Sequence, residues 1–165
     1  MTRMPRHTLW ISIAGVVAVI AYAALAAAQI LVLNPLAAAP GLTLDQIHAE
    51  MSDASESLRP DVVLFILGVG VALSIGVAVI SIVRKAPPIV PAMSMLGLLM
   101  LGTFGYFVAS FGAGMALADT FGISGAEYSP WAMPLYLVSV LAALTAAVGG
   151  VLHVRRARVV PSVAG

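Results

Sequence analysis

The sequence predicts an all-α membrane protein, a bundle of four transmembrane helices with one extracytoplasmic amphipathic helix between the first and second spans. Of its 165 residues, 61% are hydrophobic and only 9% are charged, which is too little charge for the surface of a soluble domain. Four apolar runs each reach the roughly 20 residues that cross a hydrocarbon core of about 30 Å. Basic residues cluster in alternate connections. We therefore expect the whole chain, residues 1–165, to form a single integral membrane domain.

The four apolar runs define the predicted spans. They contain no Asp, Glu, Lys or Arg, and they cover about residues 9–33, 62–83, 89–118 and 131–154. Backbone groups in lipid must bond to one another, so each run is interpreted as a helix. The first run follows a basic segment, and "ALAAAQ" at residues 24–29 resembles a signal-peptide cleavage site near Ala28. The run is too long for the apolar core of a signal peptide, which favours an uncleaved span.

The charges predict an orientation. Seven of the eight bases fall on one side of a four-span chain: Arg3, Arg6, Arg84, Lys85, Arg155, Arg156 and Arg158. Arg59 falls on the other side with all seven acids: Asp45, Glu50, Asp53, Glu56, Asp61, Asp119 and Glu127. The positive-inside rule then places both termini in the cytoplasm, with the protein in the plasma membrane. All but one of the bases are arginine and alanine is abundant, a composition typical of GC-rich bacterial genomes.

An amphipathic helix is predicted at residues 44–58, between the first two spans. Thr43 suits the N-cap position, with Gln46 as its capping-box partner. One stripe of the helix is apolar: Leu44, Ile47, Met51 and Leu58. The opposite face is acidic: Asp45, Glu50, Asp53 and Glu56. An acidic face is not drawn to anionic lipid, so we expect the stripe to pack on the outer end of the bundle, as a lid or as a docking site for a partner.

Two local features shape the rest of the bundle. Prolines 87, 88 and 91 punctuate the short connection between the second and third spans, which predicts an antiparallel hairpin. The third span continues for about 27 residues after Pro91, or roughly 40 Å as a straight helix. It is longer than the bilayer core, so it must tilt, bend at its glycines or project beyond the membrane.

Small residues recur at four-residue spacing and form a candidate helix-packing face. They are Gly68, Ala72 and Gly76 in the second span, and Gly105, Ala109 and Ala113 in the third. Small side chains allow helix backbones to approach closely in lipid. Packing within the bundle is the preferred interpretation, and a face for a second copy or another membrane protein is the alternative.

The sequence predicts no catalytic, cofactor-binding or metal-binding residues, and no nucleic-acid partner. It contains no cysteine, so thiolate and disulfide chemistry are ruled out. His7 and His153 are interpreted as interfacial residues in preference to haem ligands, and His48 as part of a solvated acidic face in preference to a weak divalent-cation site. Hydroxyl groups are the main polarity at membrane depth. Tyr22, Tyr106 and Ser110 could build a polar ligand pocket, although structural hydrogen bonding is preferred.

These observations favour a small polytopic membrane protein that is not an enzyme. The leading interpretation is a structural or accessory subunit that works through helix–helix contacts, its partners being the lipid bilayer and a membrane protein or a second copy. The alternative is a small transporter or binder of an apolar or lipid-like ligand between the helices. Buried polarity separates the two, because transport of a polar solute requires polar lining groups.

Overall fold

Helices account for nearly all regular structure in the computed structural model, which describes residues 6–159, excluding the side chains of residues 156–159. No strand occurs in that range. Four helical segments are long and apolar enough to cross a membrane: Arg6–Ala38, Pro60–Val83, Ile89–Phe121 and Pro130–Arg155. The predicted all-helical fold with four helices of spanning length is thus confirmed. Arg3 lies outside the described residues, and Arg156 and Arg158 lie outside the described side chains.

Seven α-helices follow one another within residues 6–159. They are α1 (Arg6–Ala28), α2 (Asn34–Ala38), α3 (Leu44–Asp53), α4 (Pro60–Val83), α5 (Ile89–Met100), α6 (Gly102–Phe121) and α7 (Met133–Val159). A π-helical turn, Gln29–Leu33, joins α1 to α2, and a 3-10 turn, Pro130–Ala132, precedes α7. The helix α1 packs mainly on α4 and α5, and α7 packs chiefly on α5. We call the end of the bundle that carries α3 the α3 end.

The π-helical turn makes the first helical segment longer than the predicted span. Pro35 lacks an amide hydrogen, and its ring would clash with the carbonyl of Leu31 in a regular α-helix. The backbone instead widens, and the Asn34 N–H donates to the carbonyl of Gln29, five residues back. The helix therefore continues past the proline to Ala38.

The third span is broken at Leu101, between α5 and α6. Ser139 of α7 lies in the break: its hydroxyl donates to the Leu99 carbonyl at 2.8 Å and accepts from the Thr103 N–H at 3.2 Å. These are the two groups that a continuous α-helix would join to each other, so a side chain has entered the backbone ladder. The sequence predicts that this long span tilts, bends at its glycines or projects beyond the membrane. The structure shows an interruption of the helix beside one of those glycines, Gly102.

The helix α3 begins as predicted and ends earlier. Its capping box is formed by Thr43 and Gln46, with N–O distances of 3.3 and 2.8 Å. The helix ends at Asp53, so the predicted end at Leu58 is wrong. Ser55 takes a left-handed conformation, and the Glu56 N–H donates back to the Met51 carbonyl at 2.7 Å. This Schellman closure stops the helix, and Leu58 is buried from the following loop.

Candidate functional site: a cavity between α6 and α7

Two buried polar side chains of the first helical segment point toward the loop that joins α6 to α7. The Asn34 Oδ1 accepts from the N–H groups of Tyr128 and Ser129, at 2.8 and 3.3 Å. The Gln29 Nε2 donates to the Ser129 carbonyl at 3.4 Å. Residues five apart lie on one face of a π-turn, so the local widening aligns both amides with the loop. The loop is thereby anchored over the bundle at the α3 end.

A cavity of about 360 Å³ lies beneath this anchored loop, between α6 and α7. It is lined by Ile30 and Asn34 of the first helical segment, by one face of α6, by residues 125–127 of the loop and by Tyr136 of α7. The lining combines aromatic, small and polar side chains, chief among them Asn34, Tyr106, Phe107, Ser110, Glu127 and Tyr136. Because α7 packs chiefly on α5 and much less on α6, space remains between α6 and α7.

A carboxylate and two tyrosines meet in the cavity wall. The Tyr136 hydroxyl donates to Glu127 Oε1 at 2.9 Å. The rings of Tyr106 and Tyr136 meet edge to face, with centroids 5.9 Å apart and planes at 81°. Tyr106 is fully buried, and its hydroxyl lies near both the Gln29 amide and the Glu127 carboxylate. Glu127 is exposed and Tyr136 is half-buried, so the carboxylate lies at the mouth of the cavity, beside the buried Tyr106.

The opposite wall of the cavity is apolar and reaches the outer surface of the bundle. Phe107 and Phe111 are one turn apart on α6, with ring centroids 6.0 Å apart and ring planes tilted by 53°, and they are 58% and 60% exposed. Met115, one turn further along α6, also lines the cavity and is exposed. The site therefore has a polar wall at the loop and an apolar wall on the surface that a bilayer would contact.

The electrostatic character of the cavity is acidic. Glu127 is its only charged lining residue, with no Lys, Arg or His in the lining. Within the described part of the chain, Arg59 is the only Lys or Arg at the α3 end, and its Nε lies 3.5 Å from Asp61 Oδ1. The site is thus suited to a neutral or positively charged group more than to an anion.

The three hydroxyl residues that the sequence suggested for a polar ligand pocket do not all lie together in the structure. Tyr106 and Ser110 line the cavity together, whereas Tyr22 lies elsewhere, with its hydroxyl 3.4 Å from Ser139 Oγ. Sequence reasoning did not assign Glu127 and Tyr136 to the site. A signal for them existed, because an acid and a tyrosine flank the start of the fourth span, but their pairing depends on the fold of the loop.

The residues predicted for the amphipathic helix segregate by burial. Ile47, Met51 and Leu58 are buried, and Leu44 is half-buried. Asp45, Glu50 and Asp53 are exposed, and Glu56 is half-buried. An open groove of about 500 Å³ runs beside α3 and is lined by Leu31, Leu44, His48, Met51, Leu58 and neighbouring residues.

The small residues of the candidate helix-packing face lie in different environments. Ala109 and Ala113 of α6 are buried in the core. Gly68 and Ala72 of α4 are exposed, and Gly76 is half-buried. Gly105 lines a second, apolar groove of about 350 Å³ among α1, α4, α5 and α6. Part of the small-residue pattern thus packs inside the bundle and part faces outward.

Neither a cluster of metal ligands nor a comparison with known proteins characterises the site further. Within the described residues, no group of three or more His, Cys, Asp or Glu side chains is placed to hold a metal ion. The chain matches no protein-family model, no curated protein and no solved structure.

Proposed function

We propose that this chain is a non-enzymatic membrane protein that binds a lipid-like ligand between α6 and α7. The head group would occupy the wall formed by Glu127, Tyr106 and Tyr136, and the tail would follow Phe107 and Phe111. The observation that carries the proposal is the two-sided cavity, which is polar at the loop and apolar where it meets the outer surface. Amphiphiles require this combination, because each part of the ligand keeps a matching environment.

We further propose that the protein spans a bacterial plasma membrane with both termini in the cytoplasm. Arg6, Arg84, Lys85 and Arg155 lie at the end opposite α3, and such an asymmetry supports this orientation under the positive-inside rule. The helix α3 and the cavity would then lie at the extracytoplasmic surface. A ligand would enter sideways from the outer leaflet, past Phe107 and Phe111.

Photolabelling of the purified protein tests the binding proposal. A 12-carbon alcohol with a diazirine in its tail would be irradiated with the protein in dodecyl maltoside micelles, and labelled peptides would be mapped. We expect labelling to concentrate on residues 106–115 and 133–137. The variant Ser110→Phe fills the cavity with a phenyl ring and should reduce that labelling several-fold.

Leu144→Phe is the matched control, because Leu144 is 59% exposed on α7 and does not line the cavity. It should leave the labelling unchanged. Uniform labelling of all exposed apolar side chains, equal in both variants, would contradict ligand binding at this cavity.

An accessory subunit that works through helix–helix contacts is the second candidate. The observation that favours it is the exposure of Gly68 and Ala72 on α4, where a Cβ added to Gly68 would meet no atom within 4 Å. Small residues on an outward helix face permit close approach of another helix in lipid. Copurification from native membranes in mild detergent tests this candidate, and loss of a copurified partner with Ala72→Phe would support it.

A further inference from the structure

We infer that the ligand of the α6–α7 cavity carries an ammonium head group. The inference rests on the proposed function and specifies the chemical class of its ligand. It depends on the charge of the cavity, on the aromatic rings around that charge and on the absence of basic side chains from the lining.

The first step concerns charge. The Glu127 carboxylate is the only charged group in the lining, and its Oε1 accepts the Tyr136 hydroxyl at 2.9 Å. A carboxylate has about four acceptor positions, so this bond leaves capacity for a further donor. A hydrogen bond in which the donor or the acceptor is ionised is roughly twice as strong as a neutral one, and an ammonium donor adds the attraction between opposite charges. An ammonium group would therefore find its counter-ion at the polar wall.

The second step concerns the rings. Tyr106, Tyr136, Phe107 and Phe111 all line the same cavity. The face of an aromatic ring attracts a cation within about 6 Å of the ring centroid, and the attraction grows when water is excluded. Tyr106 is 1% exposed and has no face open to a ligand, whereas Tyr136 is half-buried and Phe107 and Phe111 are 58% and 60% exposed, so these three rings can meet a cation beside the exposed Glu127. A carboxylate among aromatic rings is an arrangement suited to organic ammonium groups.

The third step concerns the alternatives. Positive charge favours a phosphate or carboxylate head group, and the lining has no Lys, Arg or His. The N–H groups of Tyr128 and Ser129 in the loop already donate to Asn34. An anion would also lie close to Glu127, and like charges repel. Of the amphiphiles that fit the cavity by shape, those with a cationic head are favoured.

Three photoactivatable probes with one shared 12-carbon tail test the inference in dodecyl maltoside micelles: a primary amine, an alcohol and a carboxylate. We expect the amine to label the cavity with an affinity on the order of tenfold above that of the alcohol, and the carboxylate to label it least. Glu127→Gln should remove the advantage of the amine over the alcohol, because the counter-ion is lost. Asp119→Asn, at an exposed acid of α6 outside the cavity, should change nothing.

The outcomes separate the two proposals. Equal cavity labelling by all three probes would overturn the ammonium inference and leave lipid-like binding in place, whereas no cavity labelling by any probe would overturn both. A thermal unfolding transition of Glu127→Gln close to that of the parent protein shows that the variant is folded. Competition by phosphatidylethanolamine would identify a lipid head group as the source of the ammonium, and competition by dodecylamine alone would identify a single-chain amine. Failure of both competitors would overturn the inference.

Discussion

At the scale of single residues, polar groups in this bundle act mainly on the backbone. Ser139 enters the helix ladder between Leu99 and Thr103, and Asn34 accepts two N–H groups of the α6–α7 loop. In lipid, an unpaired backbone group would cost several kcal/mol. By pairing these backbone groups, the Ser139 hydroxyl and the Asn34 amide allow the backbone to depart from a regular helix. Hydropathy does not predict such departures.

Gly102, at the break in the third span, provides the residue-scale prediction. A Cβ on Gly102 would lie 2.7 Å from Cζ of Tyr22, whose ring is buried and cannot simply swing aside. Gly102→Ala should therefore lower the free energy of unfolding by about 1–3 kcal/mol, the usual cost of overpacking. Thermal unfolding in micelles measures the effect.

Gly112 of α6 supplies the matched control for this prediction. A Cβ there would meet nothing within 4 Å, so Gly112→Ala gains only helix propensity. It should raise stability by about 0.5–1 kcal/mol. If both alanine variants had the same effect, the close approach of Tyr22 to Gly102 would be ruled out.

At the scale of elements, a substitution can test whether the apolar face of α3 packs against the bundle. Ile47 and Met51 are 0% and 1% exposed, although they belong to a short helix outside the four spans. Met51→Asp would bury an acid in that apolar contact, and we expect a loss of at least ~2 kcal/mol in stability. Unchanged thermal stability of the Met51→Asp protein would contradict the packing of α3 against the bundle.

Ala49 gives the corresponding control on the opposite face of α3. It is exposed, so Ala49→Asp introduces the same side chain into solvent. Its unfolding temperature should stay close to that of the parent protein. The comparison separates loss of packing from the general effect of one more acid on an already acidic helix.

The sequence predicts whole elements of this fold better than it predicts their irregularities. Spans follow from hydropathy and bilayer thickness, and the start of α3 follows from the local pairing of Thr43 with Gln46. The early end of α3 depends on Ser55 in a left-handed conformation, for which glycine would be the usual signal. The break at Leu101 depends on Ser139, which is distant along the chain and appears in no periodic pattern.

The candidate cavity was the least predictable feature for the same physical reason. Its walls come from the first helical segment, from α6, from the loop before α7 and from Tyr136 of α7. Only Tyr106 and Ser110 stood out from the sequence, as hydroxyls within an apolar span. Glu127 reached the cavity because Gln29 and Asn34 anchor the loop, and that anchoring depends on the π-turn before Pro35.

At the scale of the whole molecule, orientation decides which compartment meets the cavity. The chain contains no cysteine, so a single introduced cysteine reports its own accessibility. Ala49 in α3 and Pro87 in the α4–α5 connection are both exposed and lie at opposite ends of the bundle. Replacing them removes no base, so the charge asymmetry that should set the orientation is preserved.

We expect a membrane-impermeant maleimide to label Ala49→Cys in intact cells, and to label Pro87→Cys only after permeabilisation. The physical reason is the cost of moving Arg84 and Lys85 across the membrane, together with the bases at both chain ends. The reverse pattern would place Glu127 and its cavity on the cytoplasmic side. A ligand would then have to enter from the inner leaflet, so this labelling also determines which leaflet supplies it.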